Sequence, residues 1–284
     1  MPKNKNFTIF SEAFPPNKNG ERKKIATYSS SHDLLNGITI KSEELIYKPL
    51  SKSDIEEIKK LHKEWFPISY QDDYFQQIFE NKYGTYFTIG AYYIIDNKEI
   101  IVGLALCEFR PVSEYFVKHT SPKAIQEICN EIDYNEEVQS YLRCQDYNCA
   151  YIMTIGVLDE CRKLHIGSQL INRIIDKAMS DDICIGVYLD VVYYNSSAIK
   201  FYEKNGFKKV TTLRNYYDIN ENVYDCDVFL KIFTRKEKDC YRAKNYTLLR
   251  KIINMIIITP LNIVYKIIIF IFLFQCFRNK IKVD

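Results

Sequence analysis

The sequence predicts an α/β domain built on a mixed sheet, and three observations carry that prediction. Runs of β-branched and aromatic residues alternate with stretches of helical apolar period. One run, Tyr151-Ile-Met-Thr-Ile-Gly-Val157, breaks at once into the basic, glycine-containing stretch Arg162-Lys-Leu-His-Ile-Gly-Ser168 and an amphipathic helix beginning near Ser168. Other strand runs are joined by turns too short for a crossover helix, so the strands are not all parallel. With 284 residues and 47% hydrophobic side chains the chain has material for a real core.

The elements follow in order. Residues 1–44, rich in Asn, Lys, Ser, Gly and Pro, show no sustained apolar period and are expected as a disordered leader with no secretory h-region. Leu45 to Leu50 reads as a strand. Ser51 or Ser53 caps a helix with Ile55, Ile58, Leu61 and Trp65 on one face, which Pro67 ends. Tyr74 to Phe79 gives a second short helix. Tyr86 to Ile95 and Ile100 to Phe109 form a hairpin across Asp96-Asn-Lys98. Residues 113–149 are polar and acidic, an excursion over the surface with one helical patch from Ala124 to Ile132. After the strand at 151–157, Leu170, Ile171, Ile174, Ile175 and Ala178 keep a helical period to Ser180. Ile183 to Val192 is a strand; Asn195 caps a helix from Ala198 to Lys204, closed by Asn205-Gly206; Phe207 to Leu213 and Val223 to Phe233 pair last.

A strand that turns into a helix N-terminus presents unpaired N–H groups and the positive end of a dipole, which suits a pyrophosphate. The charge distribution narrows the partners. Residues 51–230 carry 19 Lys and Arg against 28 Asp and Glu, whereas residues 231–284 carry 12 against 3. An acidic body with a basic C-terminal end argues against nucleic-acid binding and suits a cationic substrate and an anionic membrane surface. Nine cysteines without a CxxC pair, several inside apolar runs, point to reduced, buried thiols and to no metal centre. Nothing in the pattern sets an oligomeric state.

Residues 236–284 are expected as a basic linker and membrane anchor. Ile252 to Phe277 carries a single charge, Lys266, and is long enough to cross a hydrocarbon core of ~30 Å. Flanking Arg250, Lys251, Arg278 and Lys280 place the body on the cytosolic side. Pro260 and the polar positions Asn254, Thr259, Asn262 and Lys266 leave two helices lying in the interface as an alternative, and a buried core helix as another.

Arg162-x-x-His165-x-Gly167 is similar to the Q/R-x-x-G-x-G/A turn of the GNAT acetyltransferases. Asn195 with Phe201-Tyr-Glu-Lys-Asn-Gly-Phe207 resembles the segment flanking their acetyl-CoA cleft. Within that family Trp65-Phe-Pro-Ile-Ser-Tyr70, the 151–157 run, Tyr188-Leu-Asp-Val191 and Asn215-Tyr-Tyr217 resemble, in order and spacing, the membrane-anchored N-terminal protein acetyltransferases of the Golgi, the NatF type. The likeness covers Glu43 to Phe233, expected as the GNAT domain at 45–235, and the tail resembles that family's membrane-binding end.

The resemblance implies a GNAT fold whose sheet splays between 151–157 and 183–192, and acetyl-CoA as cosubstrate. It implies acetyl transfer to the free α-amine of protein N-termini of the Met-hydrophobic type, such as those of membrane proteins, at a cytosol-facing membrane. Tyr151 and the residue at position 190 handle protons. Backbone of Ile155, Gly156 and Val157 meets the pantetheine arm. Arg162, Lys163, Leu164, His165, Ile166, Gly167 and Ser168 hold the pyrophosphate, with Asn195 and Tyr202 beside the cleft. Phe66, Pro67, Tyr70, Met153, Tyr216 and Tyr217 line the pocket for the first peptide residue. Two departures stand out. His165 replaces the first glycine of the turn, which strains it if positive φ is required. Asp190 stands where the family has histidine, and an ordinary carboxylate at ~3.9 is a weak base toward an ammonium. Acetylation of lysine or small amines, or a tethered acetyl-CoA binder without catalysis, are the competing readings.

Overall fold

The computed structural model describes residues 40–68, 70–112 and 147–253 together with 35 and 38, the side chains of 248–253 excepted. Residues 1–233 and 234–284 are separate compact units. In the first, seven strands form one sheet: β1 Ile46–Lys48, β2 Tyr86–Ile95, β3 Lys98–Pro111, β4 Asn148–Val157, β5 Cys184–Val192, β6 Lys208–Ile219 and β7 Asn222–Ile232, in the order β1-β2-β3-β4-β5-β7-β6. The helices are α1 Ile55–Trp65, α2 Asp72–Glu80, α3 Ile166–Met179 and α4 Ser196–Lys204.

Local chemistry explains each element. Ser51 is the cap: its backbone N–H donates to Asp54 at 2.7 Å, closing a capping box on a 3₁₀ turn that leads into α1. The apolar face of α1 buries Ile58, Leu61 and Trp65 as the spacing predicts, and His62 with them. Asp96 and Asn97, at φ 48° and 61°, make the two-residue turn that matches strand twist between β2 and β3. Asn195 accepts from the Ala198 N–H at 3.2 Å and so caps α4, which Gly206 ends at φ 84°.

Several boundaries differ from expectation. Strand β4 begins at Asn148, so residues 148 and 149 belong to the sheet and not to the expected excursion, with Cys149 buried in it. Helix α3 begins at Ile166, because His165 is its N-cap, so Ile166 to Ser168 form its first turn. Strand β6 continues to Ile219, since a register shift between Leu213 and Tyr217 absorbs Asn215 at φ 51° without ending the ladder. Within the 1–44 segment, Leu35 is buried and Ser42–Glu44 form a 3₁₀ turn. Residues 1–34 and 113–146, and with them the Ala124–Ile132 patch, lie outside the described residues. The described ends of the excursion meet, Val112 N–H donating to Tyr147 O at 2.9 Å.

All pairings are antiparallel except β4 with β5. That parallel ladder stops at Ile152↔Leu189. Beyond it β4 stays on β3 as far as Val157, and β5 stays on β7 as far as Val192. The sheet therefore opens between them, and Met153–Val157 have no strand partner on the β5 side. A bulge starts the opening: Cys107 pairs with Ile152 and Leu106 with Thr154, leaving Met153 between.

In the second unit Thr234 and Glu237 form a reciprocal capping pair at 2.7 and 2.9 Å before α5, Arg235–Ile253. Among the described residues no helix is long and apolar enough to cross a membrane. The expected anchor lies, from residue 254 on, outside them.

Candidate active site

The opening between β4 and β5 meets the basic turn at one end. Gln169 N–H donates to His165 O at 3.0 Å, so the α3 ladder starts there and Ile166, Gly167 and Ser168 have no intrahelical acceptor. Lys163 and His165 take φ 72° and 59°, the left-handed region. The strain foreseen for a non-glycine residue at His165 is therefore present, costing about 1–2 kcal/mol. Arg162 is tied to Asp159 at 2.5 Å, bracing the turn.

Two glycines fit the walls together. A Cβ on Gly167 would stand 3.1 Å from the Phe201 ring, so glycine lets α3 approach α4 without displacing that ring. On Gly156 a Cβ would stand 2.1 Å from the Trp65 indole. Glycine at 156 thus admits Trp65, while its backbone lies in the stretch of β4 with no β5 partner. Asn195 is fully buried; its Oδ1 caps α4, and its Nδ2 has no hydrogen-bond partner among the described residues. Tyr202 is likewise fully buried, edge-on to Phe201 and Phe207.

Where the two strands part, Tyr151 and Asp190 come together. Tyr151 OH donates to Asp190 Oδ2 at 3.0 Å, and Tyr216 OH donates to the same oxygen at 3.3 Å. Asp190 has 0% exposure, so a complete carboxylate lies beneath the surface. Burial first, then the charge of Asp190, pushes the Tyr151 hydroxyl well above its ordinary pKa, with Arg110 opposing. The same two causes, in that order, raise Tyr216. Tyr151 is accordingly a protonated donor at neutral pH and not a phenolate base.

The expected peptide-pocket residues divide. Phe66 and Tyr70 meet in the α1–α2 connection, centroids 5.7 Å apart, beside Pro67. Met153 sits at the bulge and lines a cavity of about 470 Å³ with Tyr74, Glu108 and Arg110. Tyr216 reaches Asp190, but Tyr217 has 0% exposure and packs edge-on against Tyr216 at 4.9 Å. Tyr217 is thus buried in the core behind Tyr216.

Sequence reasoning missed two groups. His62, assigned no role, is buried; Nδ1 donates to Ile58 O at 2.8 Å, since a carbonyl only accepts, which leaves Nε2 to accept from Thr154 Oγ1 at 3.1 Å. Its ring stacks on Phe66 at 4.7 Å, and burial lowers its pKa to about 3. The signal was its place four residues after Ile58 on the apolar face of α1. Arg110 and Tyr188 were missed as well. Tyr188 lies two residues before Asp190 on β5, hence on the same face, and its ring stacks on Tyr151 at 4.7 Å.

A split parallel pair beside a helix N-terminus, with a buried Tyr151–Asp190–Tyr216 cluster where the strands part, is the geometry of the site, and similarity assigns the chain to a class of enzymes. The model of the acetyltransferase (GNAT) family matches residues 55–207, and the chain belongs to that family. It is 30% identical over 187 residues to N-alpha-acetyltransferase 60 of Xenopus tropicalis, covering 65% of this chain and 68% of that protein. It is 25% identical over 196 residues to histone acetyltransferase MCC1 of Arabidopsis thaliana, covering 68% and 72%. Among solved structures, Arabidopsis thaliana NAA60 in complex with acetyl-CoA superposes with a TM-score of 0.54 at 26% identity, over 66% of this chain and 98% of that one.

Proposed function

We propose that this acetyltransferase moves the acetyl group of acetyl-CoA to the free α-amine of protein N-termini of the Met-hydrophobic type, those of membrane proteins among them. The observation that carries the reading is the buried Asp190 carboxylate holding the Tyr151 and Tyr216 hydroxyls where β4 and β5 separate. The 30% identity to a protein named N-alpha-acetyltransferase 60 supports the choice of amine.

The chain's own groups fit acetyl-CoA. Ile166, Gly167 and Ser168 offer N–H donors with the α3 dipole behind them, and Lys163 adds a cation, so Arg162 to Ser168 hold the pyrophosphate. The Nδ2 of Asn195, without a hydrogen-bond partner among the described residues, and the backbone groups that the Ile155, Gly156 and Val157 stretch, paired only with β3, turns toward the opening are donors and acceptors that the split leaves over, and Tyr202 walls the cleft. When bound, acetyl-CoA supplies the activated thioester.

The incoming ammonium must lose a proton before its lone pair is available. Asp190 is the acceptor. Tyr151, protonated and hydrogen-bonded to it, passes the proton along or donates one toward the departing sulfur. Backbone N–H groups of β4 that face the opening, where β5 no longer pairs, stabilise the developing oxyanion. Phe66, Pro67, Tyr70, Met153 and Tyr216 enclose the first side chain of the acceptor. Residues 252–277 and their basic flanks hold the enzyme at a cytosol-facing membrane of the Golgi type.

The test is acetylation of Met-Leu and Met-Ile peptides by the full chain. Product is expected on the α-amine; absence of product from several such peptides while acetyl-CoA still binds would falsify the reading. The likeness to a protein named histone acetyltransferase MCC1 favours one second reading, transfer to lysine. Blocking the peptide α-amine separates the two, since turnover that survives the block belongs to lysine. Loss of membrane association on deleting residues 246–284 is expected; unchanged association removes the anchor.

A further inference from the structure

The proton-handling pair has a neighbour on a third strand. The Arg110 guanidinium, near the end of β3, lies 4.1 Å from the centroid of the Tyr151 ring. That ring also stacks on Tyr188 at 4.7 Å and 26°, so Tyr151 is held between a planar cation and a second aromatic. Arg110 Nε donates to Glu108 Oε2 at 2.5 Å, and Glu108 is the cross-strand partner of Tyr151. The Arg110 charge also acts on the Tyr188 hydroxyl, whose pKa burial raises and Arg110 opposes. Its side chain is 26% exposed, which is low for an arginine.

The charge arrangement gives this position a purpose. Tyr151 is faced by Asp190 and Tyr188 from β5, Tyr216 from β6, and Arg110 with Glu108 from β3. Burial raises Tyr151, Tyr188 and Tyr216, Asp190 raises each further, and the Arg110 charge opposes both in all three. A carboxylate with no exposure requires a counter-charge or it takes up a proton instead.

We infer that Arg110 is a positioning residue for acetyl transfer, clamping the Tyr151 ring against Tyr188 and adding a positive charge beside the Tyr151–Asp190 pair. The inference rests on the reading that Tyr151 and Asp190 handle the amine's proton. Guanidinium is suited to the task because it stacks flat on a ring while bonding a carboxylate in its own plane. Lysine at 110 would keep the charge and lose the flat contact; glutamine would lose both.

The experiment compares the pH dependence of kcat/KM for the full chain and for its Arg110→Gln, Arg110→Lys and Tyr151→Phe forms, on a Met-Leu peptide and on an α-blocked lysine peptide. Acetyl-CoA affinity and the melting temperature serve as checks on folding. Arg110→Gln should lower kcat about ten-fold or more with peptide KM within about three-fold. It should also move the acid limb to higher pH by about one unit, because removing a cation makes a carboxylate easier to protonate. Arg110→Lys should restore the limb and only part of kcat. If Arg110→Gln retains the wild-type limb, or lysine rescues nothing although acetyl-CoA binds normally, the positioning role is overturned. A Tyr151→Phe enzyme at the full rate overturns the proton-handling reading and this inference together. Activity confined to the α-blocked lysine peptide overturns only the choice of amine, and the Arg110 comparison is then decided on that acceptor.

Discussion

The turn from 162 to 168 and the cluster around Asp190 belong to the same cleft but are built in opposite ways. The turn is local: a few consecutive residues, two of them in the left-handed region, end on the first N–H groups of α3. The cluster is assembled from β3, β4, β5 and β6, residues up to 106 positions apart between Arg110 and Tyr216, and exists only where β4 and β5 separate. A local site tolerates an irregular residue such as His165, whose cost is confined to its own backbone. A distributed site depends on every strand being in register, and one buried charge commits all its neighbours.

The comparison breaks most clearly at Asp190. Asp190→Asn keeps the shape and removes the acceptor, so kcat should fall on the order of 100-fold while acetyl-CoA affinity stays within about two-fold. A drop in affinity as large as the drop in rate would show the cluster to be part of the binding site instead.

His62 tests the packing behind the cluster. Its folded-state pKa of about 3 lies below the ordinary histidine value of 6.5, so the unfolded chain binds the extra proton as the pH falls. The neutral ring contributes its full stability above about pH 6.5, and this is lost progressively toward pH 3, at up to about 1.4 kcal/mol per pH unit. His62→Leu should destabilise at neutral pH by about 2 kcal/mol, through loss of its bond to Thr154 and to Ile58, and should flatten that slope. Urea titrations from pH 7.5 to 4 measure both, and an unchanged slope would remove His62 as the source.

On the turn, Gly167→Val puts methyl groups against Phe201 and should weaken acetyl-CoA about ten-fold, with kcat at saturation little changed. Isothermal titration and saturating kinetics separate the two effects. The smallest change is His165→Gly. It relieves the left-handed strain but adds backbone freedom to the unfolded chain, so a stabilisation of about 0.5 kcal/mol and intact acetyl-CoA binding are expected. A large loss of affinity would instead assign the imidazole a phosphate contact.

Much of the architecture was legible because its causes are local. The spacing Ile55, Ile58, Leu61, Trp65 specified α1, the Asp96-Asn97 turn specified the hairpin, and Asn195 marked the start of α4. The turn with its helix was legible for the same reason, as were the five described buried cysteines, Cys107, Cys149, Cys161, Cys184 and Cys226. Less legible were features whose cause is elsewhere in the chain. The extension of β6 past Leu213 depends on β7 offering a partner, and the glycine at 156 depends on Trp65 arriving from α1.

The site divides along the same line. The turn at 162–168 is marked in the sequence because a strand running into a helix N-terminus has a short-range spacing, whereas Tyr151 and Asp190 are singled out by the family resemblance. That Tyr151 is a protonated donor, that Tyr217 is core, and that Arg110 and His62 stand behind the cleft were decided by tertiary structure alone. Burial and counter-charge are set by which distant side chains converge, and no spacing along the chain encodes that distance.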